Sequence, residues 1–97
     1  MKTLNSIKKL INKNRILLRK QYHIKTIGVF GSYARGTPHP GSDIDILVEF
    51  SRVPDFFKFI QLERKLKELL RNKVDLVTVK ALKPFIKDTV LKEVVFL

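Results

Sequence analysis

The chain has 97 residues, 44% hydrophobic and 30% charged, with four Gly and four Pro; that is room for one ordinary core and predicts a single domain over residues 1–97, without linker or repeat. The absence of Cys excludes disulfides, zinc thiolate sites and thiol catalysis. Twenty Lys and Arg against nine Asp and Glu give a formal charge of +11, which suits polyanionic ligands or an acidic protein surface, although basic residues spread along helices also read simply as solvated faces.

Leu4, Ile7, Leu10, Ile11, Leu17 and Leu18 recur at three-to-four spacing, predicting one amphipathic helix from about Thr3 to Gln21. Lys or Arg occupies seven of the first twenty positions, which breaks any apolar stretch of the secretory kind. No run approaches the roughly 20 apolar residues of a membrane span, so a cytoplasmic location is expected.

Ile24 to Phe30 reads as a first strand that stops at Gly31. Ser32 then stands where a helix N-cap stands, before the short segment Tyr33-Ala34-Arg35. Thr37 to Ser42, with two Pro and a Gly, is a loop, and Asp43 to Phe50 is a second strand with Ile44, Ile46, Val48 and Phe50 on one face.

Past Val53-Pro54, the apolar positions Phe56, Phe59, Ile60, Leu62, Leu66, Leu69 and Leu70 describe a long helix with Asp55 near its start. Val74 to Val79 is a third strand. Pro84 suits a first helical position, and Phe85, Ile86, Val90, Leu91 and Val94 are expected on the inner face of a closing helix. The pattern predicts an α/β (α+β) fold, a small sheet covered by helices in two or three layers.

The chemistry concentrates in Gly31-Ser32, followed by ten residues and then Asp43-Ile44-Asp45. A glycine turn allows close backbone approach to a ligand, and the N–H groups that follow it, with the Ser32 hydroxyl, can face phosphate oxygens. Asp43 and Asp45 project to one face of the strand with Cα atoms about 6.6 Å apart, close enough to share one Mg²⁺ or bridge two. Two metals so held stabilise the attacking and leaving oxygens of an in-line displacement.

Asp45 lies in an otherwise apolar strand, where an uncompensated carboxylate is costly. Asp75, in Lys73-Val74-Asp75-Leu76-Val77, is a candidate third site carboxylate, either a metal ligand or a general base; a salt bridge to a lysine is the structural alternative. Arg35 suits phosphate contact or bracing of the carboxylates, against an ion pair with Asp43 or Asp45. Glu49, about 13 Å from Asp45, stays outside the site. His23 and His39 lack metal-ligand spacing, and Tyr33 is a weak candidate for stacking on a base. No phosphate-loop or dinucleotide-binding glycine pattern is present.

With Gly31-Ser32-Tyr33-Ala34-Arg35-Gly36 and Ser42-Asp43-Ile44-Asp45-Ile46-Leu47-Val48, the chain resembles a minimal nucleotidyltransferase of the DNA polymerase β superfamily. The resemblance covers nearly the whole chain, and Val74-Asp75-Leu76-Val77 fits the strand of the third carboxylate. It implies a polymerase-β-like fold, a mixed sheet flanked by helices. It also implies that Gly31 and Ser32 hold triphosphate, that Asp43, Asp45 and Asp75 bind one or two catalytic Mg²⁺ ions, and that ATP is the substrate.

Members of this length resemble the antitoxin half of a toxin–antitoxin pair. The partner there is a helical HEPN-domain ribonuclease, one of whose tyrosines the enzyme adenylylates. That implies a hetero-oligomer with a cognate toxin; on charge alone nucleic acid is a possible but not expected partner, and no membrane partner is expected. The competing readings are transfer to an RNA 3′ end or a small-molecule hydroxyl, and a non-catalytic antitoxin that neutralises its partner by contact alone.

Overall fold

Thr3 opens the first helix through a reciprocal cap, its hydroxyl accepting from the Ser6 N–H (3.1 Å) while the Ser6 hydroxyl accepts from the Thr3 N–H (3.0 Å). The computed structural model describes residues 2–97, and Met1, the first residue of the expected domain, lies outside the described residues. The elements in order are α1 (Leu4–Lys13), α2 (Arg15–Tyr22), β1 (Ile24–Phe30), α3 (Ser32–Arg35), β2 (Ile44–Phe50), α4 (Phe56–Leu70), β3 (Val74–Thr78), a 3-10 turn (Val79–Ala81), α5 (Pro84–Glu93) and β4 (Val95–Phe96).

The single helix expected over Thr3–Gln21 is two helices, broken at Asn14. The Asn14 side-chain amide donates to the Leu10 carbonyl (2.8 Å), while its backbone N–H turns to Ile11 (3.1 Å). An asparagine that competes for the carbonyl four residues back interrupts a helix without changing its apolar period. Asp55 caps α4 by accepting from the Lys58 N–H (2.8 Å).

The four strands form one mixed sheet in the order β3-β2-β1-β4, with β1 antiparallel to β2 and β4, and β2 parallel to β3. Ile27 and Val29 of β1, Ile44, Ile46 and Val48 of β2 and Val74 and Leu76 of β3 join one core with Ile7 and Ile11 of α1, Leu18 and Tyr22 of α2, and Leu62, Leu66 and Leu70 of α4. On the other side of β1, Gly28 allows the C-terminal segment to approach, since a Cβ there would stand 2.6 Å from Val94 Cγ2. β4 escapes sequence reading because two residues show no alternation.

The expected inner face of α5 is not buried: Phe85 is 78% exposed, Ile86 and Leu91 are each 39% exposed, and Val90 and Val94 are half-buried. At about 100° per residue, Phe85, Ile86, Val90 and Leu91 spread over more than half the helix circumference, so no single orientation can bury them all. Among the described residues no helix is long and apolar enough to cross a membrane.

Replacing fully buried Ile46 with Ala is expected to lower the unfolding free energy by about 2–5 kcal/mol in denaturant titrations. Phe85→Ala, at an exposed position, should stay within roughly 0.5 kcal/mol of the parent.

Candidate active site

β1 delivers the chain to Gly31, whose φ of 74° and ψ of −152° are accessible to glycine and strained for any residue with a Cβ. A Cβ at this position would lie 2.0 Å from Asp45 Oδ2. The close approach expected between this glycine and a ligand is therefore made first by the Asp45 carboxylate. α3 begins at Ser32, and its Tyr33 is only 3% exposed and packs in the core, which removes it as a platform for a base.

The register places the carboxylates. Phe30 pairs with Asp45 across β1–β2, and Asp45 pairs with Asp75 across the parallel β2–β3 ladder, so the two aspartates are strand neighbours at about 4.8 Å backbone spacing. Asp43 lies just before β2, which starts at Ile44 and not at Asp43 as expected. Asp43 and Asp75 are exposed, and Asp45 is half-buried.

The loop before Asp43 is clamped from two sides. The Ser42 hydroxyl accepts from the His39 N–H (2.9 Å), and the Asn72 side-chain amide donates to the carbonyls of Ser42 (3.0 Å) and Lys73 (2.9 Å). Asn72 was not apparent from sequence; its signal is a short polar side chain directly between a helix end and the strand that carries Asp75.

Arg35 pairs with Glu93 of α5, its Nη1 lying 3.0 Å from Oε1 and 3.1 Å from Oε2, and not with Asp43 or Asp45. The Gly31 N–H also donates to Glu93 Oε1. Glu93 was missed by sequence reading, although an acid in the last turn of a helix runs against the helix dipole and is a usable signal. Glu49 is exposed, as are His23 and His39.

Among the described residues the ion pairs are Arg35–Glu93 and Lys67–Glu63. In a chain with 20 basic residues, Asp43, Asp45 and Asp75 thus make no ion pair among the described residues. Burial raises the Asp45 carboxyl to about 6, and the charges of Asp75, Asp43 and Glu93 push in the same direction, with Arg35 opposing.

An all-oxygen donor set with surplus negative charge suits Mg²⁺, which binds through one or two carboxylates together with substrate phosphates. Among the described residues no three His, Asp or Glu side chains converge closely enough to hold one ion by themselves. A groove of about 610 Å³ is lined by Val48, Phe50, Val53, Phe56 and Thr78, at the opposite ends of β2 and β3 from Asp45 and Asp75.

A carboxyl raised from its ordinary 3.8 to about 6 binds its proton better in the folded protein than in the unfolded one, so its charge opposes folding as pH rises. The cost is absent below about pH 3.8, grows through the window up to about 6 and is complete above it. Asp45→Asn should therefore stabilise the metal-free protein at pH 7.5 by on the order of 1 kcal/mol after solvent screening, and not at pH 3.5. Urea unfolding at both pH values checks this, and a gain independent of pH would contradict it.

Residues 8–97 match the nucleotidyltransferase domain family. The chain is 46% identical over 96 residues to the protein adenylyltransferase MntA of Thermococcus cleftensis, covering 99% of this chain and 97% of that protein. It superposes on a chain of a crystal structure of a toxin–antitoxin with AMP-PNP with a TM-score of 0.73 at 34% identity, covering 88% of this chain and 69% of that one. It also superposes on a structure of a tri-AMPylated Shewanella oneidensis HEPN toxin in complex with its MNT antitoxin, with a TM-score of 0.67 at 27% identity, covering 93% of this chain and 70% of that one. The chain belongs to the nucleotidyltransferase domain family, as an enzyme of the minimal nucleotidyltransferase kind.

Proposed function

We propose that this chain is a Mg²⁺-dependent adenylyltransferase that moves AMP from ATP to a protein acceptor, a tyrosine of a cognate HEPN ribonuclease toxin, and so acts as its antitoxin. The observation that carries the reading is the set of three aspartates at one end of the sheet, with no ion pair among the described residues, beside Gly31 and Arg35 in a chain of charge +11. The acceptor assignment rests on relatives: a protein adenylyltransferase at 46% identity, and chains of similar fold in toxin–antitoxin structures, one with AMP-PNP.

In the proposed reaction the acceptor hydroxyl oxygen attacks the α-phosphorus of ATP. The bond to the bridging α–β oxygen breaks, pyrophosphate leaves, and AMP remains as a phosphodiester on the acceptor. Mg²⁺, when bound, supplies positive charge to the phosphate oxygens. Asp43 and Asp45 would hold it. Asp75, exposed at the site rim, would share the metal or take the proton from the attacking hydroxyl. Gly31 and Ser32 would seat phosphate oxygens, with the Arg35 guanidinium beside them.

One observation favours contact as part of the inhibition. The apolar residues of α5 are exposed around the helix, as on a helix that a partner covers.

The test incubates the chain with Mg²⁺, its candidate toxin and ATP labelled at the α- or γ-phosphate. Label from the α-position alone should reach the toxin, and Asp43→Ala/Asp45→Ala should reduce transfer more than about a hundredfold, since metal-borne charge stabilisation is worth several kcal/mol. Nucleotide binding without transfer would redirect the reading to an RNA or small-molecule acceptor. Neutralisation of the toxin by the double variant would replace chemistry with contact.

A further inference from the structure

The phosphate corner of this chain already holds an anion, and that anion belongs to the chain itself. Glu93 Oε1 accepts from the Gly31 N–H, and the same carboxylate receives Arg35 Nη1 at 3.0 and 3.1 Å. A carboxylate bonded to a backbone N–H and a guanidinium makes the contacts that a phosphate oxygen makes with the same groups. Gly31 and Arg35 are also the residues expected at the nucleotide's phosphates, so Glu93 and the nucleotide claim one place.

We propose that Glu93 is an internal competitor for nucleotide phosphate, displaced when a triphosphate enters, and that its displacement loosens the C-terminal segment α5–β4. This rests on the reading of Gly31 and Arg35 as phosphate-binding groups. Two features make the segment the part that yields. α5 has no buried residue, and β4 joins the sheet through two register pairs to β1 and the bond from the Leu97 N–H to the Ile27 carbonyl (2.9 Å). Elements with few buried contacts open at low free-energy cost. Glu93 is the tie between this segment and the site, because it alone reaches from α5 to both Gly31 and Arg35.

The geometry gives Glu93 two effects on an incoming nucleotide. It occupies donors that the phosphates need, and it adds a negative charge close to Asp45 that repels the polyphosphate. Glu93→Gln removes the charge and keeps the shape, whereas Glu93→Ala removes both. Affinity should therefore rise from parent to Gln to Ala, the opposite order from a residue that merely supports the fold.

The experiment measures binding of ATP with Mg²⁺, inorganic tripolyphosphate and adenosine to the full chain and both variants by calorimetry. Backbone hydrogen exchange over residues 84–97 is followed in parallel, and circular dichroism verifies the fold. ATP and tripolyphosphate should bind Glu93→Ala on the order of tenfold more tightly than the parent, with Glu93→Gln between and adenosine unchanged. In the parent, tripolyphosphate should speed exchange at Val95 and Leu97, while Glu93→Ala should exchange fast without ligand.

Equal or weaker binding by folded variants, or slower exchange in the parent on adding ligand, would overturn the competition and leave the nucleotide reading intact. Failure of ATP to bind any form, with tripolyphosphate still ranked parent, Gln, Ala, would remove the nucleotide reading and keep the anion competition. Failure of both ligands to bind any form would remove both.

Discussion

The site is held by the confinement of β2. Ile44, Ile46, Leu47 and Val48 are all at most 1% exposed, and the strand is bonded to β1 on one edge and to β3 on the other. A one-residue slip would turn every side chain to the opposite face and carry the Asp45 carboxylate into the core. Register is therefore strongly specified, and the positions of Asp45 opposite Phe30 and beside Asp75 follow from it. The aspartate-bearing end of the sheet is thus positioned by its apolar middle.

That end contains two charge environments in contact. Asp43, Asp45 and Asp75 make an electronegative cluster with no ion pair among the described residues, and burial, with the neighbouring carboxylates, raises the half-buried Asp45. Next to it, the Gly31 N–H and the Arg35 guanidinium make an anion seat, taken by Glu93. A polyphosphate with a divalent cation carries both signs within a few ångströms and is complementary to the pair. Gly31 joins the two, because the space its missing Cβ leaves is filled by Asp45 and its N–H is bonded to Glu93.

The C-terminal segment is of another kind from the rest. α1, α2 and α4 each bury an apolar stripe against the sheet, whereas α5 leaves Phe85, Ile86 and Leu91 in solvent. One of its links to the body is ionic, the pair of Glu93 with Arg35. An element with few buried contacts opens at lower free-energy cost than helices held by hydrophobic burial.

Local pattern was sufficient for much of this. The three longer strands and the long α4 follow from alternation and helical spacing. The resemblance added the mixed sheet, which the strand order confirms. What local pattern got wrong involved competition within the backbone or partners far apart in sequence. The break at Asn14 comes from a side chain that takes a helix carbonyl, which leaves the apolar period unchanged. The exposure of α5 reflects apolar residues spread over more than half the helix circumference, which no single inner face can bury.

The sequence by itself determined which residues could carry the chemistry, because charge, chain length and strand periodicity are properties of neighbouring positions. Only the tertiary structure decided that Asp45 lies beside Asp75, that Asn72 clamps the Asp43 loop, and that Arg35 meets Glu93, 58 positions away, rather than an aspartate. Those pairings depend on strand register and on where the last helix ends, and no local propensity encodes the distance between segments so far apart along the chain.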